Sequence, residues 1–141
     1  MKITVLAVGK MKEPAYRALA DEYLGRIARY AKVEERELKS ATEFARALPK
    51  QTLIVACVVK GKAVTSEQLA TQLQRWGSAG KGDVCFLIGG AEGIPKDISD
   101  AASYQLSLST LTLPHRLARV LLLEQIYRGF SILKGEPYAR E

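Results

Sequence analysis

Long apolar runs are missing from this 141-residue chain, and the longest, such as Val120-Leu-Leu-Leu123, are far too short to cross a bilayer. Cysteine is scarce. Cys57 and Cys85 are the only two, both inside apolar strand patterns, which points to buried, reduced thiols of a cytoplasmic protein and excludes a disulfide framework. One histidine, His115, and no close cysteine pair leave too few ligands for a metal site. Repeats, low-complexity tracts and linkers are also lacking, so residues 1–141 are expected to form a single domain. The apolar start Met1-Lys-Ile-Thr-Val-Leu-Ala-Val8 is followed by Gly9-Lys-Met-Lys-Glu13 without a small-residue cleavage site, and it reads as a first strand, not a signal peptide.

Two nucleotide signatures are absent as well. Gly89-Gly-Ala-Glu-Gly93 is not Gly-x-Gly-x-x-Gly, and no Gly-Lys-Ser/Thr of a phosphate loop follows it. That argues against ATP or GTP. What is present is the composition of a folded protein, with 48% hydrophobic and 26% charged residues. The formal net charge of +6 mildly favours a polyanionic partner.

Strand patterns alternate with helical ones. Residues 2–8 form a nearly continuous apolar strand, and Pro14 opens a helix over about 13–31 with Tyr16, Leu19, Tyr23, Ile27 and Tyr30 on one stripe. Arg17, Arg26, Arg29 and Lys32 lie off that stripe as a basic or merely solvated face. The charged segment 32–38 suggests a strand near an edge, and Ser40 caps a short helix before Pro49. Thr52–Val59 is a buried strand that Lys60-Gly-Lys62 is expected to end. Thr65 and Gln68 have capping-box spacing ahead of a helix carrying Leu69, Leu73 and Trp76. Asp83–Ile88 is a strand, a short helix covers about 95–102, and Tyr104–Leu108 is the last strand. Pro114 suits the first position of a final helix over about 114–133, stopped by Gly135 and Pro137. This order predicts an α/β fold on a parallel sheet. The middle of the final helix is apolar over more than one stripe, so the helix is either central or packed on a second subunit. A homodimer is favoured.

Two strand ends open into unusual loops, which is where an open α/β sheet holds a ligand. Gly89, Gly90 and Gly93 serve either backbone geometry or a ligand held by backbone groups and apolar walls. Leu108-Ser-Thr-Leu-Thr-Leu-Pro114 is either an ordinary turn capped by Thr112 or a segment whose leucines sandwich a flat adenine while its backbone reads the edge. His115, in the first turn of a helix, is pushed toward its neutral form and is a base or a structural hydrogen-bonding group. Glu92 is a loop carboxylate that is either solvated or orients a substrate.

Taken together, Met1–Lys10, Phe86-Leu-Ile-Gly-Gly-Ala-Glu-Gly93, Leu111-Thr-Leu-Pro-His115, Arg119–Arg128 and the tail Pro137-Tyr138 resemble the ribosomal RNA large subunit methyltransferase H family, a minimal branch of the SPOUT methyltransferase class. The resemblance covers nearly the whole chain, with the region 32–50 shorter than usual. It implies a parallel-sheet SPOUT fold with a C-terminal deep trefoil knot, a homodimer, and S-adenosylmethionine bound in the knot. The methyl acceptor it implies is N3 of a pseudouridine in helix 69 of 23S ribosomal RNA within the assembled ribosome. Carried onto this chain, the cofactor site comprises Cys57, Gly89, Gly90, Leu108, Ser109, Thr110, Leu111, Thr112 and Leu113. The tail Tyr138-Ala-Arg-Glu141 is expected to meet substrate across the dimer, with Arg140 stabilising a deprotonated uracil-like ring and His115 or Glu92 as candidate bases. Two departures stand out: Ala139 replaces the usual tail histidine, and Cys57-Val58 replaces leucine and an acid. A different RNA target, or a non-catalytic ribosome- or RNA-binding module, are the rival readings. A flavodoxin-like binder is disfavoured because Gly9-Lys-Met-Lys-Glu13 lacks a phosphate-binding pattern.

Overall fold

The computed structural model describes residues 1–141. Five strands form one parallel sheet: β1 (Lys2–Val8), β2 (Lys32–Leu38), β3 (Leu53–Ala63), β4 (Val84–Ile88) and β5 (Tyr104–Ser107), in the order β2-β1-β4-β3-β5. The helices are α1 (Pro14–Ile27), α2 (Phe44–Ala47), α3 (Ser66–Gly77), α4 (Lys96–Ala101) and α5 (His115–Lys134), with 3₁₀ turns at Ala41–Glu43 and Pro137–Arg140.

The central strands read as unbroken apolar runs because both faces are covered. Ile3, Val5 and Ala7 of β1 join Val84, Phe86 and Ile88 of β4 under α1, α3 and α5. The alternate residues Leu6, Cys85 and Leu87 point the other way, against Phe44 and, more loosely, Ile98. β2, with its alternating charges, is an edge strand as expected. The α3 capping box is present: Thr65 Oγ1 accepts the Gln68 N–H at 3.1 Å and Gln68 Oε1 accepts the Thr65 N–H at 2.9 Å. Gly135 ends α5 at φ +66°, a left-handed cap natural to glycine.

The width of apolar surface on α5 finds its explanation inside the chain. α5 lies between α1 and α3 on one face of the sheet, and Leu122, Leu123 and Ile126 are completely buried. Each such side chain contributes roughly 1.5–3 kcal/mol by leaving water. Of the two explanations for that apolar width, the central position is the one observed.

Four boundaries differ from expectation, each for a local reason. α1 stops at Ile27, and its stripe continues through a turn in which Tyr30 stacks on Phe130 at 5.4 Å. The segment expected as one short helix over 41–48 is a 3₁₀ turn followed by a single helical turn. Pro114 precedes α5 instead of entering it: its ψ is 140°, its carbonyl accepts the Ala118 N–H at 2.9 Å, and neither it nor Thr112 caps the helix through a side chain. Finally, Lys60-Gly-Lys62 does not end β3. The strand runs on to Ala63, re-pairing with β5 after a register shift between Cys57 and Lys62. Gly61 permits this, since a Cβ there would lie 2.7 Å from the Leu106 carbonyl carbon.

Candidate active site

A cleft of about 340 Å³ opens outside the carboxyl ends of β4 and β5 and beside the middle of β3, at the edge where an open parallel sheet is expected to bind. Three segments build it. Cys57, Val58 and Val59 come from β3; Ile88, Gly89, Gly90, Gly93 and Ile94 from β4 and its loop; Leu108, Ser109, Leu111 and Leu113 from the segment after β5. His115 and Ala118 close it from the first turn of α5.

The glycine loop is folded back on itself. The Gly93 N–H donates to the Gly90 carbonyl at 3.0 Å, and Gly93 takes φ +77°. A Cβ on Gly89 would lie 2.4 Å from the Gly93 carbonyl carbon, so only glycine allows this closure. In the second loop, Ser109 Oγ accepts the Leu111 N–H at 2.9 Å, and Ser107 Oγ donates to the Ser109 carbonyl at 3.0 Å. These bonds set an irregular backbone along the wall of the cleft. Leu111 is 72% exposed and Val59 62%, and together they give the cleft an apolar rim.

The lining contains no lysine, arginine, aspartate or glutamate. A di- or triphosphate would lack cations here, whereas an adenosyl group needs apolar walls and backbone donors and acceptors. The donor set fits S-adenosylmethionine. The Cys57 thiol is pushed up to about 12 by burial, with Cys85 adding to it, and meets the cleft as a neutral thiol.

Of the nine residues named as cofactor contacts, Cys57, Gly89, Gly90, Leu108, Ser109, Leu111 and Leu113 line the cleft, whereas Thr110 and Thr112 are exposed and outside its lining. Beyond these nine, the lining takes in Gly93 of the expected glycine loop and Val58 of the Cys57-Val58 departure, together with Val59, Ile88, Ile94 and Ala118, which the sequence does not single out. The two valines simply continue β3, but nothing in the sequence marks Ile94 or Ala118. Glu92 is exposed and outside the lining.

His115 sits at the cleft with its pKa lowered, first by burial and then by the charges of Arg116 and Arg119. The helix dipole invoked from sequence is therefore not the leading cause. The unfolded chain takes up this proton near pH ~6.5 while the folded chain resists it. Stability from this group is thus complete above that pH and declines as pH falls through the lower folded value. Chemical denaturation at pH 7.5 and pH 5.5 should show His115→Asn losing part of the acid sensitivity of the wild type. An identical pH response in the two proteins would refute this assignment.

The tail lies elsewhere. Tyr138 donates to Glu124 Oε2 at 2.8 Å, and its hydroxyl is 3.1 Å from that of Tyr23. Burial, then the contacts with Tyr23 and Glu124, push this phenol far upward, so it stays protonated. Its ring packs on Tyr127 at 4.6 Å, under the Arg128 guanidinium at 5.0 Å, and Arg128 also donates to the Glu141 carbonyl at 2.7 Å. The tail is latched to α1 and α5, and neither Tyr138 nor the exposed Arg140 lines the cleft of its own chain.

A buried ionic cluster underlies the start of α5, and sequence reading did not detect it. Arg119 donates to Glu35 at 3.0 Å, to Glu37 at 2.7 Å and to the Gly9 carbonyl at 3.0 Å. Arg17 adds a second contact to Glu35 at 2.6 Å.

A family model described as "Predicted SPOUT methyltransferase" matches residues 1–139. The chain is 50% identical over 145 residues to the ribosomal RNA large subunit methyltransferase H of Sorangium cellulosum, with 99% of each chain covered. It is 40% identical over 159 residues to the protein of the same name from Acetivibrio thermocellus, covering 99% of this chain and 100% of that one. Among solved structures, a probable methylase family protein from Haemophilus influenzae Rd KW20 aligns with TM-score 0.58 at 13% identity, covering 94% of this chain and 66% of that one. The putative methyltransferase Lpg2936 from Legionella pneumophila, solved with bound SAM, aligns with TM-score 0.52 at 13% identity, covering 89% and 65%. At these identities the structural likeness establishes the fold. By its family match and its full-length relatives, the chain belongs to the SPOUT methyltransferase family, in the ribosomal RNA large subunit methyltransferase H branch.

Proposed function

We propose that this protein methylates large-subunit ribosomal RNA using S-adenosylmethionine. At the finer level, we propose N3 of a pseudouridine in helix 69 of 23S ribosomal RNA, in the assembled ribosome, as the acceptor. The observation that carries the reading is the cleft: glycine loop, leucine-rich loop and neutral lining meet at the carboxyl ends of β4 and β5, beside the middle of β3. Its relatives' shared name supplies the RNA class.

The cofactor, when bound, supplies a methyl group already activated on a sulfonium. Cys57, Gly89, Gly90, Leu108, Ser109, Leu111 and Leu113 would hold it, the apolar side chains against the adenine and the loop backbone at its polar edges. What remains for the chain is alignment and proton removal. His115 borders the cleft and is held toward its neutral form, so it is the side chain assigned to accept the N3 proton. Arg140 supplies positive charge to the ring as it loses that proton. Because Arg140 is outside the cleft of its own chain, this role requires a partner subunit, and we infer a homodimer in which each tail serves the other cleft. The exposed Val59, Leu111 and Leu117 offer apolar surface for that contact. The same reading includes a C-terminal trefoil knot, a single domain over residues 1–141 and action in the cytoplasm, where ribosomes are.

Arg140→Ala is expected to reduce turnover at least about 100-fold, the scale of losing one oriented charge on a developing anion. Cofactor affinity by calorimetry should stay within about twofold; a large loss there would show that Arg140 belongs to cofactor binding instead. The decisive test of substrate is mass spectrometry of 23S ribosomal RNA from a strain lacking this protein. Methylpseudouridine should vanish from helix 69, and its persistence would overturn the assignment.

A further inference from the structure

The loop joining β1 to α1, Gly9-Lys-Met-Lys-Glu13, is anchored at every second residue. The Gly9 N–H donates to the Leu38 carbonyl at 2.8 Å, and the Gly9 carbonyl accepts from Arg119 at 3.0 Å. The Met11 N–H donates to Glu37 Oε2 at 2.7 Å, while its side chain is 3% exposed in the core. Glu13 pairs with Arg116 at 3.0 Å. Between these anchors Lys10 and Lys12 project into solvent, and neither has an acidic partner. The nearby acids are already engaged: Glu35 and Glu37 face Arg17 and Arg119, and Glu13 faces Arg116.

This loop also borders the cleft. A Cβ on Gly90 would lie 3.1 Å from Val8 Cγ1, and one on Gly9 would lie 4.0 Å from His115 Nε2; Gly90 and His115 both line the cleft. Two unpaired ammonium groups therefore stand on a fixed mount beside a cleft that contains no cation of its own. A fixed backbone lowers the ordering cost of a contact made through lysine. Ammonium groups act as point charges, a chemistry suited to single phosphate oxygens. The loop has no glycine-rich amide cradle for a terminal phosphate, so the contact it offers is from side chains to a phosphodiester backbone.

We propose that Lys10 and Lys12 dock the sugar–phosphate backbone of the RNA substrate next to the nucleotide that enters the cleft, and that Arg119 is the positioning residue that holds their loop. The proposal rests on the reading of this protein as a ribosomal RNA methyltransferase.

The test is the double variant Lys10→Ala/Lys12→Ala, measured against unmodified ribosomes over a range of salt. Each lost phosphate contact removes about 0.7–0.9 from the slope of log affinity against log salt, so the slope should shrink by roughly 1.4–1.8. Ribosome affinity near 100 mM salt should fall about tenfold, with the loss appearing in KM far more than in kcat, and S-adenosylmethionine affinity should be retained. The double variant with arginine at both positions should keep the wild-type slope. Arg119→Lys, which keeps the charge but loses the guanidinium fork, should raise KM for ribosomes several-fold at unchanged cofactor affinity. A wild-type slope in the alanine variant overturns the proposal. A loss of ribosome affinity with an unchanged salt slope also overturns it, assigning the loop to a surface other than a phosphate backbone. Failure of the wild-type protein itself to bind or methylate unmodified ribosomes strikes the functional reading, and the wild-type control distinguishes that case.

Discussion

Replacing Arg119 by methionine is expected to destabilise the protein by about 3–5 kcal/mol, the scale for removing one partner of a buried ionic cluster. Arg119 is 1% exposed and heads the fully buried side chains by volume. Its guanidinium lies between Glu35, whose side chain is 6% exposed, and Glu37, and it also satisfies the Gly9 carbonyl. Methionine fills much of the space but takes one donor each from two carboxylates and a carbonyl, and Glu37 keeps only the Met11 N–H as a close donor. Arg17 still reaches Glu35 at 2.6 Å, yet its distance to Glu37 is 3.6 Å and it is 29% exposed, so it offsets only part of the loss. Burial alone would raise the Glu37 pKa; the bonds from Arg119 and the Met11 amide override this and hold it below the usual range. That contribution is present above the unfolded carboxylate value of ~4.3 and is lost as pH falls through the lower folded one. Urea denaturation at pH 7 and pH 3.5 measures both effects: the gap between wild type and variant should narrow in acid. A loss under about 1 kcal/mol at pH 7 would mean that the cluster relaxes and that Arg119 is dispensable.

Gly89→Ala should reduce S-adenosylmethionine affinity by about 10–100-fold or more, while Gly90→Ala costs much less. The difference lies in what each new methyl group meets. At Gly89 it would be 2.4–2.8 Å from the Gly93 backbone, which cannot swing aside as a side chain does. Overpacking of this kind typically costs ~1–3 kcal/mol, and relief requires opening the loop that forms one wall of the cleft. Each ~1.4 kcal/mol taken from the bound state is a factor of ten. At Gly90 the nearest atom is Val8 Cγ1 at 3.1 Å, the end of a side chain. Calorimetry with S-adenosylmethionine, alongside a thermal midpoint for each variant, gives the ordering. Equal affinities for the two variants would exclude the Gly89–Gly93 closure from cofactor binding.

The parts of the site legible in sequence are those made by one stretch of chain. Gly89, Gly90 and the leucines after β5 stand out because glycines and small hydroxyls at strand ends break the pattern around them. Ile94 and Ala118 carry no such mark and line the cleft because the fold brings them there. The extension of β3 past Gly61 was illegible for a related reason: Lys-Gly-Lys reads as a stop until β5 is seen to pair with it. In the sequence Arg119 stands out only as part of a family pattern, since a charged residue within an apolar helix does not announce that Glu35 and Glu37 lie on the neighbouring edge strand.

Sequence by itself determined the alternation of strand and helix, the two-sided burial of the central strands, the start of α3 and the end of α5, because each depends on side-chain periodicity or capping within a few residues. The order of the strands was decided by tertiary structure alone. So were the central seat of α5 between α1 and α3, the latch that keeps Tyr138 away from its own cleft, and the anchored loop that leaves Lys10 and Lys12 free beside it. Each of these is a contact between segments distant in sequence, such as Arg119 with Gly9 or Tyr138 with Tyr23. Local propensity carries no information about such pairings, because they gain their free energy only once the chain has closed around them.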